Sequence, residues 1–169
     1  TYSRKFTGKD FDPENEKEVS DEYEKLLSKK IENKTDLEEF LEIWSDFSSV
    51  LDESGSLAYV NMTCNTKDKD AEAKYLHLVE KISPVCERYE DSLKEKFLSS
   101  GFISYIDEKY YELFIKRTRV DKEIFRDENI PLYTEDSILC QNYQKITGNW
   151  MVDFDGKKYT VQEMAPFLE

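Results

Sequence analysis

Apolar side chains recur every three or four residues along most of this chain, which is the spacing of one face of an α-helix. The pattern predicts a first helix from the Asp12-Pro13 pair to near Asn33, because aspartate suits a helix N-cap and proline suits the first turn. A second helix is predicted from a Thr35 cap with Glu38 three residues later. The stripes of these two helices are Val19, Tyr23, Leu26, Leu27 and Ile31, then Leu37, Phe40, Leu41, Trp44, Phe47 and Leu51.

Three further helices follow the same rhythm. A third runs from Asp70 to about Ser99, and we expect Pro84 to kink it. A fourth and a fifth follow, and Gly148 closes the fifth. Gly55 could interrupt the second helix, or residues 57–62 could continue it. The three later stripes are Tyr75, Val79, Ile82, Cys86, Tyr89, Leu93 and Phe97; Ile106, Tyr110, Leu113, Phe114, Val120 and Ile124; and Leu132, Leu139, Tyr143 and Ile146.

The last part of the chain changes period from helix to strand. Trp150, Val152 and Phe154 alternate with polar residues, and Asp155-Gly156 is a residue pair typical of a type I′ turn. The segment 158–161 can return as a second strand. The sequence therefore predicts an all-α protein, a bundle of about five helices with a small C-terminal β-hairpin, in one domain of 169 residues.

The composition limits the classes of partner and the cellular location that we expect for this chain. The formal net charge of −13 repels phosphate backbones and anionic lipid surfaces, so we expect neither nucleic acid nor a membrane as a partner. The basic patch Lys116, Arg117 and Arg119 is too short to reverse that field. No apolar run has the length of a membrane span and the N-terminus has no apolar signal core, which predicts a cytoplasmic protein.

The residues of this chain do not supply a catalytic or metal site. His77 is the sole histidine, and the motif His77-Leu78-Val79-Glu80 ends in Lys81 where an inverted zinc motif needs a second histidine. We expect a helix-surface or hydrogen-bonded histidine instead. The five glycines form no phosphate-binding loop. We therefore assign no catalytic, cofactor-binding or metal residue in this segment.

Three cysteines, Cys64, Cys86 and Cys140, are odd in number and far apart in the sequence. They contain no C-x-x-C pair, so neither a disulfide framework nor a zinc knuckle is indicated. Buried, reduced thiols are the prediction.

An acidic stretch from Thr35 to Thr66 contains no lysine or arginine, and it has two interpretations. It could line a cleft that attracts cationic peptides, or it could be a solvated helix face, which we favour. The aromatic residues Trp44, Phe47, Tyr110 and Tyr143 are predicted to be core residues. The acids are Asp36, Glu38, Glu39, Glu42, Asp46, Asp52 and Glu53.

Three landmarks occur in an order that resembles a known family. The segment 58–66 continues through Asp68 to the sequence Lys81-Ile82-Ser83-Pro84, and the later stretches are 126–132, 141–148 and 154–160. Together they look like the N-terminal region of the oligoendopeptidase F and thimet oligopeptidase family of zinc peptidases. Residues 1–34 match only in being polar and helical.

The resemblance implies a function that the chain itself does not complete. In that family an H-E-x-x-H helix in the C-terminal part binds zinc, and the N-terminal helices form a wall of a channel that admits short peptides. This chain has no H-E-x-x-H, so no catalytic residue carries over. The resemblance therefore implies that residues 1–169 are the N-terminal helical domain of such a peptidase, a partial chain that lacks the catalytic domain.

That interpretation carries expectations about cofactor and partners. Zinc and oligopeptide substrates belong to the full-length parent, and the fragment alone is expected to be inactive. The exposed face of a separated domain predicts self-association. The alternative is a stand-alone, non-catalytic helical module that binds a protein or a peptide.

Overall fold

The computed structural model describes residues 3–65 and 67–167, except for the side chain of Glu108. Within that part the chain forms six α-helices and one antiparallel hairpin, so the predicted all-α class with a small hairpin is confirmed. The helices are α1 (Glu16–Ser28), α2 (Lys34–Cys64), α3 (Lys69–His77), α4 (Ser83–Ser99), α5 (Glu108–Ile124) and α6 (Ile130–Gly148), and the strands are β1 (Met151–Phe154) and β2 (Lys157–Thr160).

Asparagines, not the residues predicted from sequence, cap the first two helices. Asn15 caps α1, because its side-chain oxygen accepts from the backbone N–H groups of Lys17 and Glu18, whereas Asp12 closes the turn before it. Asn33 caps α2 and takes the place predicted for Thr35, which lies inside the helix. The predicted caps were wrong by three and two residues because several neighbouring polar residues can each serve as an N-cap.

α1 ends at Ser28, five residues before the predicted end. The backbone turns extended at Lys29, and the ammonium group of Lys96 on α4 donates to the carbonyl oxygens of Leu27 and Lys29. A charged donor from a neighbouring helix thus satisfies carbonyl groups that the end of α1 leaves without helical partners. Gly55, by contrast, does not interrupt α2, which runs unbroken for 31 residues.

The predicted third helix is three elements in the structure. α3 passes through a π-helical turn, Leu78–Ile82, into α4, and the N–H of Ser83 donates to the carbonyl oxygen of Leu78, five residues back. Pro84 follows directly. Its ring has no N–H and would collide with the carbonyl group one normal turn earlier, and a widened turn relieves that collision. The predicted kink at Pro84 therefore takes the form of a π-helical turn.

Aromatic side chains from four helices form the core. Tyr23 of α1 lies edge-on to Phe47 of α2, with ring centroids 4.8 Å apart, and stacks on Tyr89 of α4 at 5.0 Å. Phe114 of α5 contacts Trp44 of α2 at a centroid distance of 5.7 Å. Each fully buried large side chain contributes roughly 1.5–3 kcal/mol, so this cluster fixes α1, α2, α4 and α5 as one unit.

The C-terminal hairpin has the predicted turn. Met151 pairs with Thr160 and Phe154 pairs with Lys157 in antiparallel register. Asp155 and Gly156 have φ values of 50° and 74°, and two successive positive φ values are the signature of a type I′ turn.

No helix in the described residues is both long enough and apolar enough to cross a bilayer.

Candidate functional site

His77 is exposed at the end of α3, where its Nε2 lies 2.8 Å from the carbonyl oxygen of Glu14 and donates to it. The predicted surface or hydrogen-bonded histidine is confirmed. Among residues 3–65 and 67–167, no group of three His, Cys, Asp or Glu side chains is placed to hold a metal ion. These residues therefore offer no set of ligands for zinc, an ion that the family resemblance places in the C-terminal part of the parent protein.

A half-buried carboxylate joins α1, α2 and α4. Glu90 of α4 accepts from the indole nitrogen of Trp44 at 2.9 and 3.0 Å, from the hydroxyl of Tyr23 at 3.1 Å and from that of Ser48 at 3.4 Å. Burial raises the pKa of the Glu90 carboxyl, and the hydrogen bonds from Trp44 and Tyr23 oppose that rise only in part. The carboxylate gives the indole N–H of Trp44 and the hydroxyl of Tyr23 an acceptor inside the aromatic cluster.

A cavity of about 760 Å³ opens beside Glu90, between α1, α2 and the π-helical turn that leads into α4. Asp52, Glu87 and Glu90 line it together with Cys86, and the described residues contribute no lysine or arginine to its wall. Burial also raises the pKa of the Glu87 carboxyl. A concave wall with three carboxyl groups suits a cationic ligand group. We call this space the acidic cavity.

Cys86, which lines the acidic cavity, is not a nucleophile at neutral pH. Burial raises the pKa of the Cys86 thiol to about 11, and the hydrogen bond from Tyr23 only partly opposes this. A thiol with that pKa stays protonated near pH 7, whereas nucleophilic attack requires the thiolate. The geometry therefore allows binding at the acidic cavity and gives no basis for covalent catalysis by Cys86.

A buried carboxylate, Asp46 of α2, holds the residues that precede α1. We call residues 3–11 the N-terminal strap. Asp46 accepts from the backbone N–H groups of Lys5, Phe6 and Thr7 at 2.8–3.0 Å and from the Thr7 hydroxyl at 2.9 Å. Burial works to raise the pKa of Asp46, but the hydrogen bonds from the strap outweigh it and hold that pKa well below its usual range. The backbone of the strap is thus held to α2 by the carboxylate of Asp46.

The other acids between Thr35 and Thr66 support both earlier interpretations, the solvated helix face at some positions and the acidic cleft at another. Glu38, Glu39 and Glu42 are at the surface in ion pairs with lysines, as the favoured solvated face predicts. Asp52 lines the acidic cavity, as the cleft interpretation predicts. Asp46 fits neither, since only 2% of it is exposed and its partners belong to the chain itself.

The cysteine prediction is wrong for two of the three thiols. Cys64 and Cys140 are exposed and Cys86 is half-buried, with all three free. Cys64 ends α2 and Cys140 lies on the outer side of α6, and neither position faces the core. A cysteine within a helical segment does not reveal by itself which side of the helix it occupies.

α6 presents an apolar face that no described residue covers. Leu139, Tyr143 and Ile146 stand one helical turn apart and are 59–68% exposed, with Leu132 on the same line. Tyr143 was predicted to be in the core, and that is wrong. Other parts of the helix are held by the buried side chain of Ile130 and by polar contacts such as the ion pair of Lys145 with Glu72 on α3. We call this stripe the α6 apolar face.

Tyr110 was also predicted to be a core residue, and this too is wrong because it is 77% exposed. α5 turns a different line of residues inward, namely Tyr111, Ile115 and Thr118, of which the last two are buried. Trp44 and Phe47 are buried, and for these two the prediction is confirmed.

Sequence reasoning missed Glu90 and Asp46 as structural centres, although a signal was present for each. Glu90 lies one turn from Cys86 and three residues before Leu93, within the apolar stripe of its helix. Asp46 lies four residues before Val50 on the buried side of α2. A charged residue at the position of a stripe indicates a buried polar contact.

Comparison with known proteins gives one match. A family model described as the peptidase M3 N-terminal domain matches residues 6–125, which is more than half of the chain. Searches of curated proteins and of solved structures gave no match. The matched residues include α1 to α5, the N-terminal strap from Phe6 and the whole acidic cavity. The chain belongs to the family of the peptidase M3 N-terminal domain.

Proposed function

We propose that this chain is the N-terminal, channel-forming segment of a zinc-dependent oligopeptidase that hydrolyses short peptides. The observation that carries the proposal is the match of residues 6–125 to the peptidase M3 N-terminal domain. In this proposal zinc and its ligands belong to the catalytic part of the parent protein. The segment itself supplies a rigid helical wall and does not cleave peptides.

The helices of the segment suit such a wall. The aromatic core and the carboxylate of Glu90 join α1, α2 and α4 into one unit, which can hold a peptide-facing surface in a fixed shape. The acidic cavity adds a concave surface of negative charge, which favours peptides that carry a lysine or arginine side chain. We propose oligopeptides as the partner class on this basis.

Metal analysis and a peptide-cleavage assay on the 169-residue chain test the proposal directly. We expect no stoichiometric zinc and no cleavage of a quenched fluorescent peptide at neutral pH. We also expect the gene to encode an H-E-x-x-H motif in frame after Glu169. One tightly bound zinc ion per chain, or a stop codon directly after Glu169, would overturn the proposal.

The alternative function is a stand-alone helical module that binds a protein or peptide, and the α6 apolar face favours it. An amphipathic helix with an uncovered stripe is a common surface for docking another helix. The same gene sequence separates the two functions, because the module requires no H-E-x-x-H downstream. The module also predicts that a partner protects α6 from hydrogen exchange when the chain is isolated with it.

We further propose that the isolated chain self-associates through the α6 apolar face. Replacing Leu139 and Ile146 by lysine should then give a monomer in light scattering at high protein concentration, because both side chains are about 60% exposed on that face. Gln144→Lys is the control, since it adds a charge to the same helix at an exposed position that faces Tyr59 and not the α6 apolar face. A chain that is already monomeric at high concentration would contradict self-association.

The location and the excluded partners complete the proposal. We propose a cytoplasmic protein that binds neither nucleic acid nor membranes, because the net charge is −13. Fractionation of the source cells tests the location. Retention on immobilised DNA or on anionic vesicles at physiological salt would contradict the excluded partners.

A further inference from the structure

A second cleft lies away from the acidic cavity, between the end of α4, the 101–106 connection and α5. Its volume is about 720 Å³, within the range of sites for small ligands. Leu98, Ile103 and Ile115 give it apolar walls, and Ile115 is only 8% exposed. Lys116 and Arg119 also line it. We call this space the α4–α5 cleft.

The two cations of the α4–α5 cleft are available to a ligand. Lys116 and Arg119 stand three residues apart on α5, so their side chains project from the same side of the helix. Neither forms an ion pair or a hydrogen bond from its charged group with any described residue. Lys122, one turn further along α5, shows the contrast, since its ammonium lies 2.9 Å from Asp91 and 3.3 Å from Glu95.

Glu112 is the one carboxylate that the described residues contribute to the lining of the α4–α5 cleft. It precedes Lys116 by four residues, the favourable arrangement for a helical ion pair, yet the two groups form no ion pair within 4 Å. The lining therefore carries two positive charges and one negative charge. In a chain of net charge −13, this site suits a ligand with a single negative charge better than a polyanion.

We propose that the α4–α5 cleft binds the C-terminal carboxylate of a peptide whose last side chain is apolar. The fork of Arg119 and the ammonium of Lys116 match one planar carboxylate, and the walls of Leu98, Ile103 and Ile115 receive the adjoining apolar side chain. The choice of a peptide as ligand rests on the proposed function. The chemistry of the site, one carboxylate beside one apolar group, follows from the lining alone.

An NMR titration of the ¹⁵N-labelled 169-residue chain tests the inference, because it detects weak binding and locates it. The first ligand is an acetylated tetrapeptide that ends in leucine with a free carboxylate. The second is the same peptide as a C-terminal amide, and the third is an amide peptide with an aspartate before the leucine. We expect the free acid to shift amide signals of residues 101–106 and 115–120. Both amides should bind at least about tenfold more weakly, because they cannot place a terminal carboxylate between the two cations.

Two double variants distinguish direct contact with Lys116 and Arg119 from a general effect of the net charge of the chain. Lys116→Gln with Arg119→Gln should weaken binding of the free acid at least about tenfold. Lys109→Gln with Arg117→Gln removes the same charge from exposed positions of α5 outside the cleft, and should change the affinity less than about twofold. The spectra of both variants report whether the fold is intact. Glu112→Gln should strengthen binding, because it removes a like charge.

Several results would overturn the inference. These are no shift in the cleft signals up to about 10 mM free acid, equal binding of acid and amide, equal effects of the two double variants, or full displacement of the peptide by equimolar inorganic phosphate. None of them bears on whether the gene encodes H-E-x-x-H after Glu169. Failure of the inference and failure of the proposed function are therefore separate observations.

Discussion

Asp46→Asn should destabilise the chain by releasing the N-terminal strap from α2. The carboxylate of Asp46 accepts from three described residues: Oδ1 accepts from the N–H of Lys5, and Oδ2 accepts from the N–H groups of Phe6 and Thr7 and from the Thr7 hydroxyl. An asparagine side chain has one acceptor oxygen only. In either orientation, its NH₂ group meets a backbone donor, and the remaining hydrogen bonds lose the help of a charge.

The magnitude follows from those contacts. Hydrogen bonds to a charged group contribute roughly 1.5–3 kcal/mol each and neutral ones roughly 0.5–1.5 kcal/mol, while a buried donor without an acceptor costs roughly 1–3 kcal/mol. Because the strap can move partly into solvent, the total loss of stability should be smaller than the sum of these contributions. We expect the free energy of unfolding to fall by roughly 2–4 kcal/mol. Loss of strap contacts should also weaken the packing of Phe11 on Phe47, whose ring centroids are 5.5 Å apart.

Urea denaturation and amide hydrogen exchange measure the effect. Glu42→Gln is the matched control, because Glu42 is paired with Lys5 of the same strap at 2.7 Å but through exposed side chains. It should cost less than about 1 kcal/mol. The reasoning is refuted if Asp46→Asn changes the free energy of unfolding by less than about 0.5 kcal/mol and leaves the exchange protection of the Thr7 amide unchanged.

The pH dependence gives an independent check of the same carboxylate. The pKa of Asp46 is lowered in the folded chain, so the native state holds its proton less tightly than the unfolded state does. Its contribution is therefore fully present above the unfolded pKa of about 3.9 and is lost as the pH falls through the folded pKa. The difference in stability between wild type and Asp46→Asn should stay constant above about pH 5 and shrink below about pH 4.

Three further predictions concern Glu90, Gly156 and the cysteines. Glu90→Leu should cost roughly 2–4 kcal/mol in urea denaturation, because it leaves the indole and phenol donors without an acceptor. Glu90→Gln should lower the free energy of unfolding by about 1 kcal/mol or less. The wild type should lose stability as the pH rises through the raised folded pKa of Glu90, and the Glu90→Gln variant should not show that loss. Gly156→Ala should weaken the hairpin by roughly 1–2 kcal/mol, seen as faster amide exchange in β1 and β2, since φ is 74° although the space around the residue is open. In thiol titration with a disulfide reagent at pH 8, Cys64 and Cys140 should react quickly and Cys86 slowly, and three equal rates would contradict the burial of Cys86.

Local patterns were sufficient to predict most of the secondary structure. A helical stripe and a type I′ turn pair each depend on residues within one or two turns of one another, which is why the helices and the Asp155-Gly156 hairpin are confirmed. The helix starts were less predictable. Asp12 competes with Asn15, and Thr35 with Asn33, for caps that differ in free energy by less than about 1 kcal/mol.

Contacts between distant residues explain what the sequence could not predict. The donors that reach Asp46 are about 40 residues away, and those that reach Glu90 are 42 to 67 residues away. No local rule pairs such residues. The π-helical turn before Pro84 is intermediate, because the proline predicts a disturbance but the choice between a kink and a widened turn depends on how the helix packs on both sides.

The α6 apolar face shows the limit of periodicity most clearly. The spacing of Leu139, Tyr143 and Ile146 correctly predicts a helix with one apolar side, yet it does not identify what lies against that side. In the described chain α6 is held through Ile130, Lys145 and Gln141, so the stripe is free to contact another surface. Both proposed functions require such a surface, the catalytic part of a peptidase in one and a separate partner in the other. The hypotheses therefore differ in whether the surface that covers α6 is encoded by the same gene, and the sequence after Glu169 decides between them.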